Sequence, residues 1–211
     1  MTDFGNPIIT ITMALLAIAI AITVHEFCHG LVSNLLGDST AEQSGRLSLN
    51  PLAHIDPLTT VALPIILILM KLPPFGAAKP VPINVNKLKY QEFGMAMVSV
   101  AGPLSNLLLA LFGGLVLRIF GTLNSSLWVN WWVLFVSINI AFFIFNLIPF
   151  PPLDGSRVLF AFAPEVVQKF MLQIEAFGIF AIFLFMFMVF PLISPTLQQV
   201  NGSIISWLLG L

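Results

Sequence analysis

Residues 8–29 read IITITMALLAIAIAITVHEFCH, an almost unbroken apolar run that ends in His25-Glu26-Phe27-Cys28-His29. Its length and composition predict a membrane-spanning helix. The helix should continue through the motif to Leu36, where Gly37-Asp38 stops it. Ionisable residues in a spanning helix are expensive and mark function by default. His-Glu-x-x-His on a helix is the usual zinc-hydrolase element. Residues four apart share a helix face, so His25 and His29 can offer two imidazole nitrogens to one ion. Glu26 lies about 100 degrees round the helix from His25. It can reach a water at that ion without ligating the metal, which suits a general base. The competing reading is a pair of interhelical hydrogen-bonding histidines beside a buried acid.

Composition sets the environment. The chain has 211 residues, 58% of them hydrophobic and 8% charged, against about 25% charged in a soluble domain. This predicts an all-α, polytopic membrane protein: a helical bundle of about four to six membrane segments forming one domain over residues 1–211. The net charge of -1 gives no case for a nucleic-acid partner. A single cysteine excludes an internal disulfide. Cys28 points partly away from the face His25 and His29 share, so packing is its expected role. The segment 8–24 lacks a basic region and a small-residue cleavage site, so it is expected to be retained rather than cleaved as a signal.

Further apolar runs cover Leu58–Leu72, Gly94–Phe120, Leu127–Ile148 and Met171–Phe190, the last ended by Pro191. The run 58–72 is short for a span of roughly 20 residues. A short helix is expected over Gly155–Ala163. Ser203–Leu211 is too short to span and should lie at the interface or join the preceding run. Residues 38–57 read as loop. In 73–93, the alternation Pro80-Val81-Pro82-Ile83-Asn84-Val85 suggests an extended edge strand, because proline cannot donate to a ladder.

A hydrolytic zinc usually has three protein ligands and one open position. With only three histidines in the chain, the third ligand is His54 or a carboxylate. Asp154 stands out, in Asn146-Leu-Ile-Pro149-Phe-Pro151-Pro152-Leu153-Asp154-Gly155. The prolines stop the helix, the glycine permits a tight turn, and broken helix at membrane depth is tolerated only inside protein or around a cavity. Its alternative role is as cap of the helix that follows. His54, between Pro51 and Pro57, is either interfacial, a contact near the metal or substrate, or the third ligand. Gly102-Pro103-Leu104-Ser105-Asn106 allows close helix approach. Asn106 is then either a donor to an oxyanion or substrate, or glue between helices. Asn139 and Asn146 raise the same question, with Asn146 the better placed.

These strings, with Asn50-Pro-Leu-Ala-His54-Ile-Asp56-Pro57 and Lys79-Pro-Val-Pro82, occur in an order that resembles the site-2 protease family of intramembrane zinc metalloproteases. The likeness covers roughly residues 10–165 and is greatest to the short prokaryotic branch without an accessory domain. Cys28 departs mildly from it, standing where glycine is common. The resemblance implies one Zn2+ per chain on His25, His29 and Asp154, with Glu26 activating water. It implies a transmembrane segment of another membrane protein as substrate and a prokaryotic cell membrane as location. Val81 and Ile83 are candidates for a strand that holds an unwound substrate. A metal transporter and a catalytically silent binder of membrane segments are the alternatives.

Ligands of one ion must meet at one depth. The first and fourth runs should therefore be parallel and the third antiparallel to them, so that residues 37–93 start and finish on one side. The run 58–72 would then be re-entrant or a shallow hairpin, with a full crossing as the alternative. The basic residues in this stretch put that side, and the site, toward the cytoplasm.

Overall fold

A computed structural model describes residues 6–71, 76, 78–120 and 126–209. Helix α1, Pro7–Leu35, starts where Asn6 accepts the Ile8 N–H and Pro7 presets the first turn. It ends where Gly37, at φ 102°, turns the chain into the left-handed region. After it come a short α2 (Thr40–Gln43) and a 3-10 turn (Pro51–His54). A π turn over Pro57–Ala62 then leads into α3, Leu63–Leu69. Helix α4, Gln91–Phe120, carries Pro103 inside it. Helix α5 covers Ser126–Asn146, α6 Asp154–Phe162 and α7 Glu165–Ala176.

Four helices are long and apolar enough to cross a membrane: Pro7–Leu35, Gln91–Phe120, Leu127–Asn146 and Phe180–Leu208. The chain is an all-α polytopic membrane protein. Its outward side chains suit lipid, with Leu15, Leu108 and Leu192 all more than half exposed.

The last span differs from the sequence expectation. Pro191 does not end it. Helix α8 (Ile179–Leu184), a π turn (Phe185–Val189) and α9 (Phe190–Leu209) form one continuous apolar segment. The widened turn just ahead of Pro191 shifts the hydrogen-bond register around the missing N–H. Ser203–Leu209 accordingly joins this span. A second difference concerns Pro80–Val85, which pairs in no ladder; no strand occurs among the described residues. Two of its N–H groups are taken by α1 and the turn after it. Val81 N–H donates to Glu26 Oε2 at 3.2 Å and Asn84 N–H to Asp38 Oδ2 at 2.6 Å. Residues 73–75 and 77 of that connection lie outside the described residues. His54 ends a 3-10 turn rather than lying in open loop, because Asn50 caps it by accepting the Leu52 N–H.

Asp38 is fully buried just after α1. Burial pushes its pKa up, but the Thr40 hydroxyl, the Asn84 and Thr40 N–H groups and the Ser33 hydroxyl outweigh that and hold the carboxyl below its usual range.

Contacts fix the helix directions. His29 meets Val98, and Ala21 meets Asn106, so α1 and α4 are antiparallel. Asn106 meets Asn139, and Gly113 abuts Val136 and Trp132, so α4 and α5 are antiparallel too. Helices α1 and α5 therefore run the same way. The Lys89 N–H donates to the Leu36 carbonyl at 2.8 Å, so the chain between them leaves and returns at one level. The Pro57–Leu69 segment within it reaches at most about 20 Å, short of roughly 30 Å of hydrocarbon. The bundle core gathers Ala110, Leu117, Val136, Ile140 and Leu208. Small residues let the helices close: a Cβ on Gly113 would lie 2.8 Å from Val136.

Candidate metal centre

The antiparallel register of α1 and α4 sets Gly102 beneath the two histidines of α1. The parallel register of α1 and α5 brings the chain after α5 to the same level. There Gly155 lies against the Leu147 backbone so closely that any Cβ would collide with it. The preceding residue, Asp154, occupies the first turn of α6, while Leu153 is the cap and makes no side-chain capping bond. The Asp154 carboxylate instead faces the histidines, with Oδ2 3.1 Å from His25 Nε2 and 3.4 Å from His29 Nε2. The two Nε2 atoms are 3.0 Å apart. Among the described residues, His25, His29 and Asp154 are the one group able to share a metal ion.

Proton positions follow from the neighbours. Asn139 Nδ2 donates to the Phe135 carbonyl, so its Oδ1 faces Asn106 and accepts from Asn106 Nδ2 at 3.0 Å. That amide also donates to the Ala21 carbonyl at 3.1 Å. The Asn106 oxygen is left facing His25 Nδ1 at 2.7 Å, and can only accept. His29 Nδ1 likewise faces an obligatory acceptor, the Val98 carbonyl at 2.8 Å. Both rings thus direct an Nδ1–H at these acceptors, which turns Nε2 of each ring toward Asp154 as the atom that can ligate a metal. Two ring nitrogens and a carboxylate oxygen converge on one point, an arrangement that a shared metal ion would satisfy.

Zinc fits this donor set. Tetrahedral zinc with bonds of about 2.0–2.1 Å holds its ligand atoms about 3.3 Å apart, close to the distances here. Gly102 leaves the rings room: a Cβ on it would lie 2.5 Å from His29 Nε2 and 2.6 Å from His25 Nε2.

The other residues singled out by the sequence fall as follows. Glu26 lines the cavity beside the three ligand candidates, and its Oε2 accepts the Val81 N–H. Val81 and Ile83 line the same cavity, of about 1100 Å³. Asn146 lines it as well, while its amide donates back to the Phe142 carbonyl of its own helix. His54 stands outside the metal group. Its Nε2 donates to the Ser48 carbonyl at 2.8 Å and its buried Nδ1 has no hydrogen-bond partner. Both donors of the Asn106 amide are spent on protein acceptors, so this residue orients His25. Asn139, ranked behind Asn146 on sequence, completes that relay. The signal was available in the pairing of two asparagines on facing apolar helices. Cys28 is half-buried and outside the metal group.

Fold and site together define a metal-dependent hydrolase embedded in the membrane. Comparison with known proteins agrees. The profile of Peptidase family M50 matches residues 113–190. "Putative zinc metalloprotease YwhC" of Bacillus subtilis is 34% identical over 94% of this chain and 92% of its own length. "Putative zinc metalloprotease Rip2" of Mycolicibacterium smegmatis is 26% identical over 97% of this chain and 77% of its own. No solved structure matches significantly. The chain belongs to peptidase family M50, the site-2 protease family. It is a zinc metalloprotease.

Proposed function

We propose that this single membrane domain hydrolyses peptide bonds within or beside transmembrane segments of other membrane proteins. The observation that carries the reading is the convergence of two imidazole Nε2 atoms and one carboxylate at the level where α1, α4 and the end of α5 meet. His25, His29 and Asp154 are the proposed ligands of one zinc ion. When bound there, zinc lowers the pKa of water and polarises the scissile carbonyl.

The chain's own groups do the rest. Glu26 takes a proton from the attacking water and delivers it to the leaving amine, so one C–N bond breaks while one C–O bond and one N–H bond form. The Val81 N–H keeps the Glu26 carboxylate aimed into the cavity. Asn106 and Asn139 hold the His25 ring in its productive tautomer, as metal-ligating histidines require. The Val81–Ile83 stretch, unpaired in any ladder, is the proposed cradle for an unwound substrate by strand addition.

Seven of the eight Lys and Arg residues, all but Arg118, lie in the α1–α4 connection or after Asp154. The positive-inside rule then puts the site toward the cytoplasm of a prokaryotic cell.

Purified protein in detergent tests the reading on synthetic single-span peptides that carry a helix-weakening Asn-Gly pair in an apolar segment. Mass spectrometry should place the cut within or next to that segment. No cut in any such peptide would end the proposal. Asp154→Ala should lose bound zinc, whereas His54→Ala should keep it; the reverse pattern would exchange their roles. Val81→Pro removes the N–H that meets Glu26 and should lower cleavage about tenfold with zinc retained. Unchanged turnover would remove this contact from the mechanism.

A further inference from the structure

Cleaving a bond inside an apolar helix requires that helix to open, and each N–H released in a low-dielectric chamber needs an acceptor there. The cavity that holds the metal ligands continues along α9, where Ser194, Gln198 and Asn201 line it. Their spacing keeps the three within about 60 degrees of one another on the helix. The span that carries them, Phe180–Leu208, is apolar enough to cross a membrane. Among the described residues Asn201 Oδ1 has no hydrogen-bond partner, a state native proteins keep rare; the atom is closed to solvent here, so a ligand meets it once the Asn201 side chain turns into the chamber. Ser194 turns its hydroxyl back to the Pro191 carbonyl at 3.4 Å. Away from His25, Glu26, His29 and Asn146, the lining from α1 and α5 is apolar and includes Ile22, Ala141, Phe142 and Phe145.

The stripe's place along the bundle follows from the packing of α9. Phe190 contacts Phe145, near the site, with ring centroids 6.0 Å apart. Leu208 packs on Gly114, toward the far end of α4. Asn201 therefore sits between these levels, beyond the metal cluster and toward the middle of the bundle.

We propose that this stripe is a substrate subsite. Asn201 Oδ1 accepts a backbone N–H from the opened part of an apolar polypeptide segment, and Gln198 offers its amide to the carbonyls alongside. The inference rests on the intramembrane reading above. A water column fits the part of the chamber that faces Ile22 and Phe142 less well, since a buried water needs two to four polar partners and these side chains supply none. An opened peptide matches both walls, turning its backbone to α9 and its side chains to Ile22 and Phe142.

The test uses the full chain in detergent with a photo-reactive benzoylphenylalanine in place of Leu197, which lines the cavity beside the stripe. Glu26→Gln is present so that substrate is held and not cut. The ligand is the single-span peptide of the cleavage assay, and a second protein carries the photo-reactive group at Val81. Leu197 should give a peptide adduct mapping to the apolar segment. Asn201→Leu should reduce that adduct about tenfold, while Asn201→Gln, which keeps the acceptor, should restore it. In the active protein Asn201→Leu should raise KM by a similar factor more than it lowers kcat. Zinc content and thermal melting of each variant report folding. An adduct from Val81 with none from Leu197 overturns the subsite and leaves the protease reading standing. A loss of kcat with KM and the adduct unchanged assigns the stripe to water supply and also overturns it. No adduct from either position, with no cleavage, ends both readings.

Discussion

Glu26→Gln should abolish cleavage while the protein keeps its zinc. Glutamine has nearly the same size, and its amide oxygen can still accept the Val81 N–H, which the carboxylate holds at 3.2 Å. The three proposed ligands and their supports on Asn106 and Val98 are untouched. What disappears is a group able to take and return a proton. Loss of a positioned general base lowers rates by roughly 10²–10⁴-fold, so turnover should fall to background. Metal analysis of the purified variant should give the same zinc content as the parent. Equal cleavage by variant and parent would mean that another group activates the water. Loss of both zinc and activity would place Glu26 among the ligands.

The second large effect should come from a change that local rules favour. Alanine is preferred over glycine inside a helix by about 1 kcal/mol, so on helix propensity alone Gly102→Ala should stabilise α4. The tertiary contact reverses the sign. The new methyl would lie 2.5 Å from His29 Cε1 and Nε2 and 2.6 Å from His25 Nε2, far inside van der Waals contact. Both rings are tethered at Nδ1, to Asn106 and to Val98. They cannot swing aside without breaking those bonds. Losing an outer-shell partner typically weakens metal affinity 10–100-fold, and here two rings are displaced together. Zinc affinity, measured by competition with a chelating dye, should fall about 100-fold, with cleavage partly recovered in excess zinc. Helix content should not fall. Unchanged affinity would show that the histidines do not use the space above Gly102.

The two residues illustrate how legibility divides in this chain. Glu26 is readable from its neighbours, because one turn of helix relates it to His25 and His29. The start of α1 at Asn6-Pro7 and its stop at Gly37 are equally local, being capping and backbone-conformation signals. Local reading failed at Pro191, where proline's missing N–H was taken as a helix end and the π turn before it absorbs the defect instead. It also misreads Pro80–Val85, whose alternation looks like a strand although its Val81 and Asn84 N–H groups go to two carboxylates on and after α1. Asn139 was ranked below Asn146 because distance along the chain to Asp154 was the one available measure.

The membrane setting and the His25–Glu26–His29 unit are legible in the sequence by itself, since apolar run length and helical period are properties of neighbouring residues; the directions of α1, α4 and α5 follow once Asp154 is taken as a ligand at the same depth. Residue patterns leave Asp154 and His54 both open and the family resemblance points to Asp154; tertiary structure shows that Asp154 faces the histidines, that Asn106 spends itself on a ring nitrogen, and that Gly102 makes room for both rings. Each of these joins residues far apart in the chain, as with His25 and Asn106, 81 positions apart. Such pairings depend on how helices rotate and slide against one another. Packing of Ala21, Gly102 and Gly113 fixes that, and no local pattern encodes it.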